Sequence, residues 1–263
     1  MRLINQVLTV SPNIIKLLLT PLNYPIRHLI FRKNRRKMQR LYSKVIRKGD
    51  LVFDVGANTG FHTQVFLDLG ARVIAIEPQP WCTKLLRNKF FGLETVIIVE
   101  AGLASHSGVL VLHTNKIIPQ ISTFSEFFRN NNKLLGIWGR PLEVTVTTID
   151  DLVKRYGTPD FIKIDVEGYE LEVIKGMTSI RPRLSFEFHK TTLDETRRCI
   201  WQVVQHQPVA MNYSCYDNYR FMSTVWMSES ECLKQLNSIK QKDLYGDIFI
   251  NFVVPDPTRQ LPI

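Results

Sequence analysis

The run Leu51-Val-Phe-Asp54-Val-Gly56-Ala57-Asn58-Thr-Gly60 decides how this 263-residue chain is read. Three apolar residues lead into Asp54, and Gly56 and Gly60 bracket a tight turn before a helix-like segment from Phe61 to Leu69. A buried strand, a glycine turn and a helix start, in that order, form a nucleotide-binding element. Glycine lets the backbone approach a ligand closely, and the strand end presents polar groups at the carboxyl edge of a sheet. The spacing is Gly-x-x-x-Gly behind an acid. It matches neither the Gly-x-Gly-x-x-Gly of dinucleotide enzymes nor a phosphate loop ending in Gly-Lys-Ser/Thr.

An acid without a neighbouring base suits a ligand rich in hydroxyls that carries positive charge. S-adenosylmethionine (SAM), a sulfonium with an amino acid tail, is such a ligand. Glu77 supports this reading: it closes the run Arg72-Val-Ile-Ala-Ile-Glu77, 23 residues after Asp54, about the span of one helix and one strand. It therefore reaches the end of the neighbouring strand, where a carboxylate can accept hydrogen bonds from the hydroxyls of a ribose.

Charge is divided unevenly. Residues 1–49 hold 12 of the 34 lysines and arginines and no acid, so the remaining 214 residues carry 22 bases against 24 acids, a net of −2. The high isoelectric point belongs to the N-terminal segment and says nothing about nucleic acid at the core. Cys82, Cys199, Cys215 and Cys232 form no Cys-x-x-Cys pair, so neither a zinc site nor a disulfide framework is expected, and a reducing, cytoplasmic setting is the default. Residues 3–22 are apolar only in patches interrupted by Asn5, Gln6, Ser11, Asn13 and Lys16, too short for a spanning helix. The basic cluster follows that stretch instead of preceding it, unlike a secretory signal.

Beyond Gly49, short apolar runs alternate with amphipathic segments, the signature of βαβ units and a parallel sheet. Strands are expected near 51–55, 72–77, 94–100, 160–165 and 183–189, with helices near 60–69, 79–91, 148–156, 169–176 and 192–206. Gly108–His113 reads as an added strand. Residues 114–141 are irregular, an expected lid over the carboxyl edge. Late strands are expected at 210–216, 220–226 and 247–254 around a helix at 229–236, with one strand antiparallel. Upstream, Met38, Leu41, Tyr42, Val45 and Ile46 fall on one helical face, with bases over the rest. Such a helix packs on the core with its charges in solvent, or meets an anionic membrane, each base near that surface adding about 1 kcal/mol.

Three further acids carry chemistry. Phe161-Ile-Lys-Ile-Asp165 delivers an acid to the same sheet edge, and an acid ending a buried strand costs desolvation unless it is used. Glu167 and Glu170 open the next helix, where Glu170 complements the helix dipole. Lys163 points to the opposite face and is available to a carboxylate. In Leu184-Ser-Phe-Glu187-Phe-His189, alternation puts Glu187 and His189 on one face. His189 emerges beside the Asp165 strand with a pKa range suited to a general base, or it merely caps the strand with a hydrogen bond. His62, His106 and His113 have weaker cases.

These elements resemble one family. Asp54-Val-Gly-Ala-Asn-Thr-Gly60, Glu77-Pro78, Thr145-Val-Thr-Thr-Ile-Asp-Asp-Leu152, Lys163-Ile-Asp-Val-Glu-Gly-Tyr-Glu170 and Glu187-Phe-His189 look like FkbM-type SAM-dependent methyltransferases, over about residues 49–190. The Asp-Val-Glu-Gly-x-Glu element is the specific part. The resemblance implies an α/β class I methyltransferase fold, Rossmann-like and three-layered, with a seven-stranded, mostly parallel sheet and one antiparallel strand. It makes residues 1–48 a basic extension and 49–263 the methyltransferase domain. It assigns Asp54, Gly56, Asn58, Gly60 and Glu77, with Ala57 between them, to the SAM site, and it puts Asp165 in the motif facing cofactor and acceptor. The implied reaction is O-methylation, frequently of a saccharide hydroxyl.

On this reading His189 is the base, Asp165 its partner or an acceptor-positioning group, and no metal ligand is assigned. Asp165 with Glu167 is a cation pair only if a third ligand exists. RNA methylation through the basic tail finds little support, since neither an Asn/Asp-Pro-Pro-Tyr/Phe element nor a Pro-Cys nucleophile is present. A degenerate binding module would be expected to have lost the acids and glycines that this chain retains. The expected partners are a saccharide or other hydroxyl acceptor and a peripheral anionic membrane surface met by residues 1–49.

Overall fold

The computed structural model describes residues 34–115, 122–131, 138–205, 208–215, 218–241 and 244–252. In chain order the strands are β1 (Leu51–Val55), β2 (Arg72–Ile76), β3 (Val96–Val99), β4 (Gly102–Leu103), β5 (Gly108–Leu112), β6 (Leu142–Thr147), β7 (Phe161–Ile164), β8 (Arg183–His189), β9 (Val209–Cys215) and β10 (Tyr245–Phe252). The helices are α1 (34–42), α2 (Phe61–Asp68), α3 (Pro80–Lys89), α4 (Glu126–Asn131), α5 (Ile149–Tyr156), α6 (Glu170–Lys175), α7 (Leu193–Val204) and α8 (Glu229–Ser238).

Seven strands form one sheet in the order β3-β2-β1-β7-β8-β10-β9. β10 pairs antiparallel with both β8 and β9, so it alone runs against the others. β1 is central and buried at every position, as a strand covered on both faces must be. Alternation sends consecutive residues into separate cores. Val52, Phe161 and Phe249 pack with Leu41 and Tyr42 of α1, Phe66 of α2 and Leu86 of α3. Phe53, Ile162 and Phe186 pack on the other face with Leu152 of α5, Val173 of α6, Ile200 of α7 and Leu236 of α8. The result is helices, sheet and helices in three layers.

The apolar face of α1 and the turn after it lies wholly in the core: Met38, Leu41, Tyr42, Val45 and Ile46 are all buried. Arg36, Arg40, Lys44 and Arg47 face solvent. The core-packed alternative therefore holds for 34–48, while residues 1–33, including the patchy apolar stretch, lie outside the described residues. Among the described residues no helix is long and apolar enough to cross a membrane. All four cysteines are buried free thiols.

The expected added strand is present at Gly108–Leu112, in a separate three-stranded sheet, β4-β6-β5, in which the unforeseen β6 supplies the centre. One expectation is corrected. Residues 220–226 do not form a strand and make only isolated bridges, Ser214 with Phe221 and Met211 with Met227. The reason is Asn212 of β9. Its Nδ2 donates to the carbonyls of Ser223 and Val225, and its Oδ1 accepts from the Ser223 amide, so a side chain takes the place of a ladder.

Leu41→Ala is expected to cost about 2–5 kcal/mol of stability in urea unfolding, as for a buried leucine whose site cannot collapse. Arg40→Ala, one residue away on the exposed face, should stay within about 0.5 kcal/mol of the parent chain.

Candidate active site

The loop after β1 is shaped by backbone geometry. Gly56 has φ 81° and Asn58 φ 50°, and the Gly56 and Ala57 amides both donate to the Ile76 carbonyl at 3.0 Å. A β-carbon on Gly56 would lie 1.9 Å from the carbonyl oxygen of Asp165, so no other residue fits. Glu77 is 2% exposed. Its two carboxylate oxygens accept from the Asn58 and Gln79 amides, each at 2.9 Å. Burial raises its pKa to about 7 against those two bonds, while a carboxylate so anchored still has lone pairs for further donors. Asn58 Oδ1 is buried without a protein partner, a polar atom that a bound ligand would satisfy.

A cavity opens over this loop, lined by Gly56, Asn58, Glu77, Phe124, Asp165 and Glu167 among others. Ala57 also lines it, whereas Asp54 and Gly60 do not. Asp54 lies beneath the loop, 1% exposed, and accepts a 2.5 Å hydrogen bond from Thr63 Oγ1 of α2. Burial lifts its pKa to about 6, opposed by Thr63 and then Lys163. Gly60 serves packing, because a β-carbon there would press on Leu86 of α3 and on Phe90 just after it. These two residues support the loop from below.

The second wall comes from the turn after β7. Lys163 Nζ reaches Asp165 Oδ2 at 3.1 Å, so this lysine does pair with a carboxylate, but on the side of Asp165 and not on the opposite face, because residues two apart in a strand share a face. Burial disfavours the Asp165 carboxylate, but the Lys163 ammonium together with His62 and His189 holds its pKa below the usual range. Glu170, expected to do no more than complement a helix dipole, has a larger role: its Oε1 accepts from the amides of Val166 and Gly168 and so fixes the turn. Glu167 takes φ 55° within that turn. Burial, then Glu187 and Asp165, push its carboxyl well above the ordinary range.

His189 does stand at the carboxyl edge on one face with Glu187, but its partner is not Asp165. Its Nε2 lies 3.1 Å from Glu187 Oε2, and its ring stacks on Tyr245 at 5.7 Å. Burial alone would lower the imidazole, yet the Glu187 carboxylate, with Glu170 and Asp165 beyond it, raises it to about 9. Glu187 is raised to about 7 by burial and by Asp165. Ligand-type atoms of Glu167, Glu187 and His189 lie within 4.8 Å of one another, a cluster different from the Asp165–Glu167 pair that the sequence suggested. His62, buried on α2, is depressed to about 3 by burial and by Lys163. That excludes it as a proton carrier near neutrality.

The expected lid is described only at 114–115, 122–131 and 138–141; the rest of it lies outside the described residues. What is described clasps both walls. Ser122 Oγ donates to Gln79 Oε1 at 3.0 Å, and Thr123 Oγ1 donates to the Glu167 carbonyl at 2.7 Å. Phe124 packs on Tyr169, and Phe128 lies against Gly168. Sequence reasoning missed Gln79, Ser122 and Thr123, because a Ser-Thr pair in a loop carries no periodic signal.

A seven-stranded sheet with one reversed strand, a glycine turn after β1 and an acid ending β2 are the marks of the class I SAM-dependent methyltransferase fold. The family model of the methyltransferase FkbM domain matches residues 54–224, and the chain belongs to that family. Curated relatives include the hexuronic acid methyltransferase AglP of Haloferax volcanii, 32% identical over 152 residues, which are 56% of this chain and 58% of that protein. Another is the methyltransferase sdnD of Sordaria araneosa, 29% identical over 154 residues, covering 48% of this chain and 60% of that one. The chain thus spans about three-fifths of the length of these relatives. Among solved structures, Aeropyrum pernix fibrillarin in complex with SAM aligns with a TM-score of 0.44 at 9% identity, covering 79% of this chain and 68% of its own.

Gly56→Ala is expected to unfold the loop crossing: its β-carbon collides with backbone that cannot yield, so the melting temperature should fall by several degrees or more. Gly108→Ala, where a β-carbon meets open space, serves as the control in the same thermal scan.

Proposed function

We propose that this enzyme transfers a methyl group from SAM to a hydroxyl of a saccharide. The observation that carries the reading is the acid–base set on one side of the cavity: Asp165 and Glu167 on its wall, and the Glu187–His189 pair beside Glu167. Carboxylates are acceptors for the hydroxyls of a sugar, and a histidine–glutamate pair can take up the proton that a hydroxyl must lose. The name of the Haloferax relative, a hexuronic acid methyltransferase, supports a saccharide acceptor.

The residues fit the cofactor. Glu77, anchored by two amides, would hold the ribose hydroxyls, and Asn58 Oδ1, lacking a protein partner, would take a donor of the nucleoside or its tail. Asp54 and Gly60 would act by shaping the loop. SAM, when bound, supplies a methyl group on a sulfonium that departs without needing a proton. The remaining work falls to the chain: to hold the acceptor hydroxyl in line and to receive its proton.

His189 is the proposed base and Glu187 the group that orients it. With its pKa raised to about 9, the imidazole is protonated at neutral pH, and the form able to accept a proton grows as pH rises. Transfer of tritium from labelled SAM to glucuronic acid, galacturonic acid or neutral hexoses should therefore quicken with pH on a limb near that value. Glu187→Gln removes the carboxylate that raises the imidazole and should move the limb to lower pH. Full turnover in His189→Ala would end the assignment of the base. Glu77→Ala should weaken SAM binding in isothermal titration by about 10- to 100-fold, the loss of bonds to a charged group. An unchanged affinity would remove Glu77 from the cofactor site.

A further inference from the structure

Lys163 stands in a strand whose other residues, Phe161, Ile162 and Ile164, are apolar and buried. It has no exposure at all, and its Nζ lies 3.1 Å from Asp165 Oδ2 and 3.1 Å from Asp247 Oδ1 of β10. Asp247, 1% exposed, also accepts a hydrogen bond on Oδ2 from Tyr42 Oη of α1 at 3.1 Å. The contacts run unbroken from the N-terminal helix, across two strands, to a carboxylate on the cavity wall. None of Lys163, Asp247 and Tyr42 lines that cavity.

Packing gives no reason for this lysine. An apolar side chain of similar length would fill the space, and a buried ion pair adds little to stability over such a replacement. What the ammonium changes is the carboxylate in front of it. Asp165 sits among Glu167 on its own turn, Glu187 of β8, Glu170 of α6 and Asp54 of β1, with His62 of α2 and His189 of β8 also facing it. Like charges drive a carboxyl to keep its proton, and a close cation opposes that.

We propose that Lys163 is a positioning residue that keeps Asp165 ionised and rotationally fixed at the acceptor side, with Asp247 and Tyr42 holding the ammonium from behind, so that helix α1 is the far end of the active site. This rests on the reading of Asp165 as an acceptor-side group. It gives the buried half of the basic N-terminal segment a task in the chemistry, separate from its exposed charges.

The test is carbon NMR of the full chain labelled at aspartate carboxyls, with the Asp165 signal identified by its loss in Asp165→Asn. Lys163→Met should raise the Asp165 titration midpoint by about one to three pH units. Tyr42→Phe should raise it less, in the same direction, with SAM affinity by isothermal titration kept within about twofold. In tritium transfer to glucuronic acid, Lys163→Met should lower kcat at neutral pH and leave KM for SAM unchanged, with the rate recovering as pH rises and Asp165 ionises. An unmoved midpoint in folded Lys163→Met overturns the proposal. Should that variant not fold, an unmoved midpoint in Tyr42→Phe does the same. A parent enzyme inactive on every sugar offered would defeat the acceptor reading instead, since the NMR measurement needs no acceptor.

Discussion

An ammonium group sealed from water must find its counter-charges inside the protein, and that constraint organises the middle of this molecule. Lys163 can be charged only because β10 and the turn after β7 each bring it a carboxylate. β10 presents Asp247 on that face because it runs antiparallel between β8 and β9, with Asp247 in register with Glu187 and Ser214. The reversed strand is thus more than a topological mark of the fold. It carries the acid that balances the lysine, and Tyr42 of α1 closes over that acid.

The fold was legible where each residue obeys one rule. Leu51–Val55 and Phe161–Ile164 are short apolar runs bounded by turn residues, and they form buried parallel strands as such runs do. Met38, Leu41 and Tyr42 repeat at helical spacing and go inside. Residues 220–226 misled because their aromatic and β-branched side chains look like a strand, while the backbone partner they need is replaced by Asn212. A side chain eleven and thirteen residues from its partners that imitates a ladder leaves no periodic trace.

The site was legible in its residue types and not in its pairings. Two-residue alternation was enough to put Glu187 and His189 together, because that follows from one strand alone. The partner of Asp165 is the lysine two positions back on its own strand, while the histidine of the next strand pairs with Glu187. Asp54 looked like a ligand-facing acid, and it instead takes Thr63, nine residues on, as its hydrogen-bond donor beneath the loop. Glu170 looked like an ordinary first-turn acid, and its hydrogen bonds to two amides of the preceding turn became visible only in three dimensions.

The contact between Gly56 and the Asp165 carbonyl has a mechanical meaning. The two turns that form opposite walls of the cavity cross with no room for a single methyl group between them. Neither can move toward the other, so backbone contact sets the least separation of the two walls.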